Sequence, residues 1–351
     1  MKKLLGIVAV LGIVFVTGLI VAASLLWGRI NEPYRGYRAE EQFVEIPPGA
    51  GAGEIRRRLV DAKVVRDDFT FRAALRMTGQ SQYLKAGEYR FDRPMSPTEV
   101  IEKIARGDVY GRRITFPEGL TIRNMARIYD ERGFGEAAEF VKAAENAALI
   151  NDLDPKAPDL EGYLFPETYS LPRGTPASTL ISLMVARFRA SYTAELQERA
   201  KEQGLTTREV VTLASLVEKE TGKAEERPLV AAVYRNRLRI GMGMQADPTI
   251  VYALEKAGKY DGNIRREHLA MDSPYNTYRH AGLPPGPIAS PGAASLNAAL
   301  NPADVKYLYF VSRNDGSHVF AETLAEHNAN VREYQVMFFR RQREAERTGS
   351  Q

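Results

Sequence analysis

The side chain best placed to move a proton is Glu218. Thr206 and Glu209 stand three residues apart, the spacing of a capping box, and mark the start of a helix. Beyond them Val210, Leu213, Ala214 and Val217 fall at i, i+3, i+4 and i+7 and form one apolar face. Glu218 lies roughly 100° further round the helix than Val217, at the border of that face. A carboxyl there sheds part of its water, which favours the neutral form and suits a general acid working near neutral pH. Glu220 lies roughly 200° from Glu218 and does not share its face. An ordinary solvated rim of Glu218, Lys219 and Glu220 satisfies the same spacing.

Three further segments carry groups suited to a polar ligand. Asp159–Tyr169 mixes carboxylates with aromatics, Tyr163 and Glu167 among them. Sugar sites favour aromatic faces beside acids, and so does a packed corner. In 242–249, Gln245 and Asp247 are placed to bind hydroxyls or amides, while Asp247-Pro248 also reads as a helix start with Asp as cap. Ser273–Tyr278 supplies Asn276 and Tyr278, followed by the stiff segment Gly282–Ile288. A binding rim uses such a loop, and so does a purely structural one. The four histidines, 268, 280, 318 and 327, show no HExxH spacing and read as structural. No metal site and no cofactor is expected. Neither GxSxG nor a Walker motif is present, and the absence of cysteine excludes thiol nucleophiles, disulfides and Cys-based zinc sites. Lys+Arg is 48 against Asp+Glu 44, a net charge of +4, so nucleic acid is not expected as a partner.

These groups need a scaffold. A chain of 351 residues, 44% of them apolar, suits about two folded domains. Residues 1–3 precede an uncharged stretch, Leu4 to Trp27, which as a helix spans ~36 Å, enough for a ~30 Å hydrocarbon core. The apolar core of a cleaved signal peptide is only ~7–15 residues, so 4–27 reads as a retained transmembrane anchor. Lys2 and Lys3 before it are matched by Arg29, Arg35 and Arg38 after it, so charge does not set its orientation. Residues 28–42 read as a linker.

Phe43 to Ile46 alternates as a strand, 47–53 turns, and 54–60 has helical spacing. The same order recurs at Ile114–Phe116, Pro117-Glu118-Gly119 and Ile122–Tyr129, and Phe116-Pro117-Glu118-Gly119 echoes Ile46-Pro47-Pro48-Gly49. Between them 84–91 reads as turn and strand, and Ser96 caps a helix to about 105 with Pro97 first and Glu99 closing a capping box. Residues 43–111 form a small α+β module, and 112–345 a larger α+β domain whose first part, 112–155, is assignable to either. In the larger domain a helical stretch runs from Ser178 to Gln203, and another helix runs from Pro228 to Gly241. A hairpin follows at 306–320, then a helix capped by Thr323 with Glu326. The fold class is α+β behind one N-terminal transmembrane helix.

Taken together, these segments resemble the endolytic murein transglycosylase family, the YceG-like proteins. The matching stretches are Glu161–Tyr169, Ala214–Thr221, Gln245–Thr249, Ser273–Tyr278 with Gly282–Ile288, and Gly316–Phe320 with Glu326-His327-Asn328. Glu167 stands where that family often has Asp. The resemblance implies a single-pass protein of the bacterial inner membrane with its catalytic domain in the periplasm, and a LysM-like module at 43–111. It implies endolytic cleavage between N-acetylmuramic acid and N-acetylglucosamine that leaves 1,6-anhydro ends on nascent strands and limits their elongation. By that resemblance Glu218 is catalytic, and Gln245, Asp247, Asn276, Tyr278, Tyr163 and Glu167 are expected to bind substrate. The expected partners are glycan strands of peptidoglycan, the membrane and peptidoglycan synthases. The alternative is a non-catalytic, membrane-anchored peptidoglycan-binding scaffold for those synthases.

Overall fold

A computed structural model describes residues 2–172 and 174–341. Met1 of the expected segment 1–3, and residues 342–345 of the expected larger domain, lie outside the described residues. The chain forms two compact units, Met1–Arg113 with Ser170–Gly174, and Ile114–Tyr169 with Thr175–Gln351.

The first unit opens with α1 (Lys2–Asn31). Its stretch Ile13–Asn31 is long and apolar enough to cross a membrane. Leu11, Phe15 and Trp27 are 63%, 68% and 61% exposed, so protein covers little of this surface. The end of α1 behaves differently. Ile30 is buried, Tyr34 N–H donates to Met95 O at 3.0 Å, and Gly36 N–H to Lys63 O at 3.0 Å. The expected linker 28–42 thus begins inside a helix and packs onto the module.

In that module β1 (Gln42–Ile46) pairs antiparallel with β2 (Gly87–Phe91), Val44 opposite Tyr89. The period of two buries Val44, Ile46, Tyr89 and Phe91. α2 (Ala52–Asp61) covers them with Ile55 and Leu59, and α4 (Pro97–Arg106) with Val100, Ile101 and Ile104. Both bonds of the Ser96–Glu99 capping box are made. Between them lies α3 (Asp68–Thr78), a helix that no spacing announced; Asp67 caps it through Thr70 N–H at 2.8 Å, and Phe71 and Ala74 enter the core.

In the second unit β3 (Arg112–Thr115) leads through a turn to α5 (Ile122–Glu131) and α6 (Ala137–Ala144). β3 pairs with β4 (Thr168–Leu171); the first two residues of β3 and the last two of β4 belong to the first unit. The stretch expected as one helix over 178–203 is two, α7 (Ala177–Ser191) and α8 (Ala194–Glu202). Tyr192 leaves helical geometry with ψ 72°, and Thr193 caps the new start.

The hub is α9 (Thr207–Glu220), with its Thr206–Glu209 capping box formed. Every residue from Val210 to Val217 is buried, so this helix is sheathed on all sides and not on the single face expected. α8, α10 (Arg227–Arg239), α11 (Asp247–Lys256) and α12 (Ala293–Leu300) surround it. Ser215 is affordable in this core because its hydroxyl donates to Thr212 O at 2.7 Å and accepts Ile288 N–H at 3.1 Å. The unit ends with hairpin β5 (Tyr309–Ser312) and β6 (His318–Ala321), then α13 (Leu324–Val331), capped by Thr323 and Glu326.

Candidate functional site

Because α9 is buried from Val210 to Val217, its side chains meet solvent only in its first and last turns, and Glu218 stands in the last. The Glu218 side chain is 6% exposed. Its Oε2 accepts the N–H of Gly292 at 3.0 Å, and its Oε1 lies 3.6 Å from Arg227 Nη2. Gly292 is the N-cap residue of α12, so the carboxyl also sits at the positive end of that helix.

A second carboxyl completes the arrangement. Glu118, in the turn between β3 and α5, lies 3.5 Å from the same Arg227 nitrogen and hydrogen-bonds Glu218. Burial first, then the charge of Glu218, hold the Glu118 carboxyl above the usual carboxylate range, against the pull of Arg227. The turn is pinned from both sides. Gly119 N–H donates to Ser290 O at 2.9 Å, Ser290 N–H to Leu120 O at 2.8 Å, and Lys219 Nζ to Gly119 O at 3.1 Å. The end of the Glu118 side chain occupies the space that a Cβ on Gly292 would take. No spacing rule finds Glu118; its one signal is the Phe116-Pro117-Glu118-Gly119 echo.

Glu220 leaves the same turn of α9 toward other neighbours. Its Oε1 accepts the Tyr234 hydroxyl at 2.6 Å, and burial raises its pKa. Asp247 adds to that rise, and Asp247 Oδ1 accepts the Tyr278 hydroxyl at 2.6 Å. Two of the expected ligand-binding residues therefore meet each other. Asp247 does not cap α11; it is the first residue of that helix, preceded by Ala246 with no side-chain cap. Gln245 is exposed at φ 50°, its backbone N–H held by Thr277 O at 3.2 Å.

The other three expected ligands are occupied by the fold. Asn276 is fully buried; its Nδ2 donates to Leu269 O and Met271 O, and its Oδ1 accepts Tyr278 N–H. Tyr163 is a core residue whose hydroxyl donates to Asp154 at 2.6 Å, with Arg208 on the same carboxylate oxygen. Glu167 is paired with Arg187. Their polar atoms satisfy the structure itself, which composition does not reveal. A neighbouring carboxyl, Glu161, is buried and accepts Ile122 N–H at 3.0 Å; burial pushes it up to about 8.

A groove of about 750 Å³ borders α9, lined in part by Arg208, Thr212, Arg235 and Gly282–Pro285. The loop that closes it, 282–292, then runs along α9, meeting Ser215 through Ile288 and Glu218 through Gly292. Gly162, at φ 83°, lets this loop close down; a Cβ there would fall 2.4 Å from Pro287 and 2.9 Å from Val211. Among the described residues no group of three or more His, Asp or Glu is placed to hold a metal ion. His318 Nδ1 instead lies 2.7 Å from Glu226.

A sheltered carboxyl pair thus stands at the end of a buried helix, held by one arginine and one helix N-terminus. The sequence profile of the YceG-like family matches residues 44–333, a range that contains Glu118, Glu218, Arg227 and Gly292. The chain belongs to the YceG-like family. An endolytic murein transglycosylase of Bacillus subtilis (strain 168) is 32% identical over 335 residues, covering 90% of this chain and 91% of that protein. A protein of the same name from Streptococcus pneumoniae serotype 2 (strain D39 / NCTC 7466) is 32% identical over 323 residues, 83% of this chain and 58% of the other. The crystal structure of a YceG-like protein from Listeria monocytogenes is similar too, with a TM-score of 0.57 and 32% identity, over 83% of this chain and 98% of that one. The mixed helix-and-sheet fold of residues 44–333 is thus that of a YceG-like protein, and in this chain one N-terminal apolar helix precedes it.

Proposed function

We propose that this chain is a lytic transglycosylase that cuts peptidoglycan strands internally. The observation that carries this reading is the Glu218 carboxyl, sheltered yet held by Gly292 N–H and Arg227, in a family whose curated relatives bear that activity in their names. Glu218 in its acid form donates its proton to the oxygen joining N-acetylmuramic acid to N-acetylglucosamine, and the C1–O bond breaks. The carboxylate left behind is stabilised by Arg227 and the α12 N-terminus. It then takes the proton of the muramyl C6 hydroxyl as that oxygen bonds to C1. The nucleophile belongs to the substrate, so proximity replaces the second acid that a hydrolase uses to activate water.

The products are a 1,6-anhydro end and a free 4-hydroxyl. Such cuts in nascent strands limit their elongation. The 750 Å³ groove lies at the N-terminal half of α9 and is not lined by Glu218, so it would seat a stretch of strand away from the bond that is cut; Gln245, Asp247 and Tyr278 stand on exposed or partly exposed positions in the same unit. α1 anchors the chain in the inner membrane, where lipid covers its exposed apolar side chains, and residues 43–111 form a LysM-like module on the periplasmic side.

The test uses the full chain in detergent micelles, incubated with peptidoglycan and followed by mass spectrometry. Anhydromuropeptides are expected from the wild type. Glu218→Gln is expected to lose roughly 10²- to 10⁴-fold of the rate with its thermal melt unchanged. Binding without product in both proteins would instead favour a peptidoglycan-binding scaffold for cell-wall synthases, and reducing ends would make water the nucleophile.

A further inference from the structure

Glu118 and Glu218 share more than a location. Two carboxylates in hydrogen-bond contact repel, and one proton between them removes most of that cost, so such a pair loses its last proton late. The charged groups facing Glu118 are Glu218 from α9 and Arg227 from α10, while Lys219 Nζ is tied to the adjacent Gly119 carbonyl at 3.1 Å. The Gly292 N–H, held by Glu218, adds the positive end of α12. Arg227 lies against both carboxyls and balances a single negative charge. The α12 N-terminus, through Gly292 N–H, helps to receive the second charge that appears while Glu218 has given its proton away. Exposure separates the two acids: the Glu118 side chain is 46% exposed and that of Glu218 6%. A proton arriving from water meets Glu118 first.

We propose that Glu118 is a positioning residue that shares one proton with Glu218 and exchanges it with solvent. This rests on Glu218 being the donor in the lytic reaction. At rest the pair holds one proton. Transfer to the glycosidic oxygen leaves two carboxylates facing Arg227, and the C6 hydroxyl proton then restores the single proton. No proton is consumed in the cycle.

Cleavage of peptidoglycan by the full chain in micelles is measured from pH 4 to 9, for wild type, Glu118→Gln and Glu118→Asp. Glutamine removes the neighbouring charge and donates an amide hydrogen to Glu218. The alkaline limb of the Glu118→Gln profile is therefore expected to fall by roughly one pH unit or more, with the rate recovering toward wild type in acid. Glu118→Asp is expected to restore the wild-type limb. A uniform loss at every pH, with the limb unmoved, marks a merely structural role and overturns the proposal. Carboxyl ¹³C NMR of the glutamate-labelled full chain reads the pair without activity. One late transition that disappears in both Glu118→Gln and Glu218→Gln is expected, and two independent ordinary titrations overturn the proposal. If that transition is present in a wild type that cuts nothing, proton sharing stands and the lytic reading falls.

Discussion

The chain makes the same strand–turn–helix twice, and only one copy sets a carboxyl beside Glu218. Ile46-Pro47-Pro48-Gly49 leads to α2, and Phe116-Pro117-Glu118-Gly119 leads to α5. The glycines match in backbone, Gly49 at φ 81° and Gly119 at φ 76°, and the helices start three residues later in both. Around that shared backbone everything else differs. The first turn closes on itself, with Ala50 N–H donating to Pro47 O, and a Cβ on Gly49 would meet nothing. The second turn is bonded to Ser290 and Lys219, and a Cβ on Gly119 would touch Lys219 and Glu218. Gly51 starts α2 with no side-chain cap, whereas α5 has the Thr121 hydroxyl on Asn124 N–H and the buried Glu161 on Ile122 N–H. A local motif fixes a backbone path; what it does depends on which elements its unit packs against it.

The sharpest way to break this contrast is Gly292→Ala. Its Cβ would displace only the end of the Glu118 side chain. Cleavage is expected to fall about tenfold, with the alkaline limb moved as in Glu118→Gln, and little change in melting temperature. An unaltered profile would separate Glu118 from the site. Smaller effects follow from the paired glycines. Gly49→Ala and Gly119→Ala are each expected to cost roughly 1 kcal/mol in denaturant titrations, because both hold positive φ. Only the second is expected to reduce cleavage, and equal loss in both would erase the distinction between the copies.

The mildest prediction concerns Glu161. Its carboxyl is raised to about 8 in the folded chain by burial and is ordinary when unfolded. Between the ordinary carboxylate range and pH 8 the folded state holds the extra proton, so stability falls as pH rises through that window. Glu161→Gln is expected to flatten that slope in thermal melts taken from pH 5 to 8, while Ile122 N–H keeps its acceptor.

Much of the scaffold was legible because it is local. The capping boxes at Ser96, Thr206 and Thr323 formed as their spacing required, as did the alternation of β1 and the hairpin turn at Asn314–Gly316. The α7–α8 break was not legible, since Tyr192 and Thr193 interrupt a stretch of unbroken helical propensity. α3 was missed because its fully buried apolar residues are just Phe71 and Ala74, while Ala73 and Leu75 pack only partly and Phe69 is exposed. The burial of Asn276 and Tyr163 was not legible, because polar and aromatic groups have the same names in a binding rim and in a core.

The sequence alone determined where the helices behind the capping boxes at Ser96, Thr206 and Thr323 begin, that Glu218 stands in the last turn of one of them, and that one apolar stretch is long enough to cross a bilayer. Only tertiary structure decided that Glu218 has company. Glu118, Arg227 and Gly292 come from three separate elements, and their convergence depends on how α9 is enclosed, not on any short-range period. Periodicity follows from the geometry of a single helix or strand, whereas a shared proton needs carboxyls brought within a hydrogen bond by packing from distant parts of the chain.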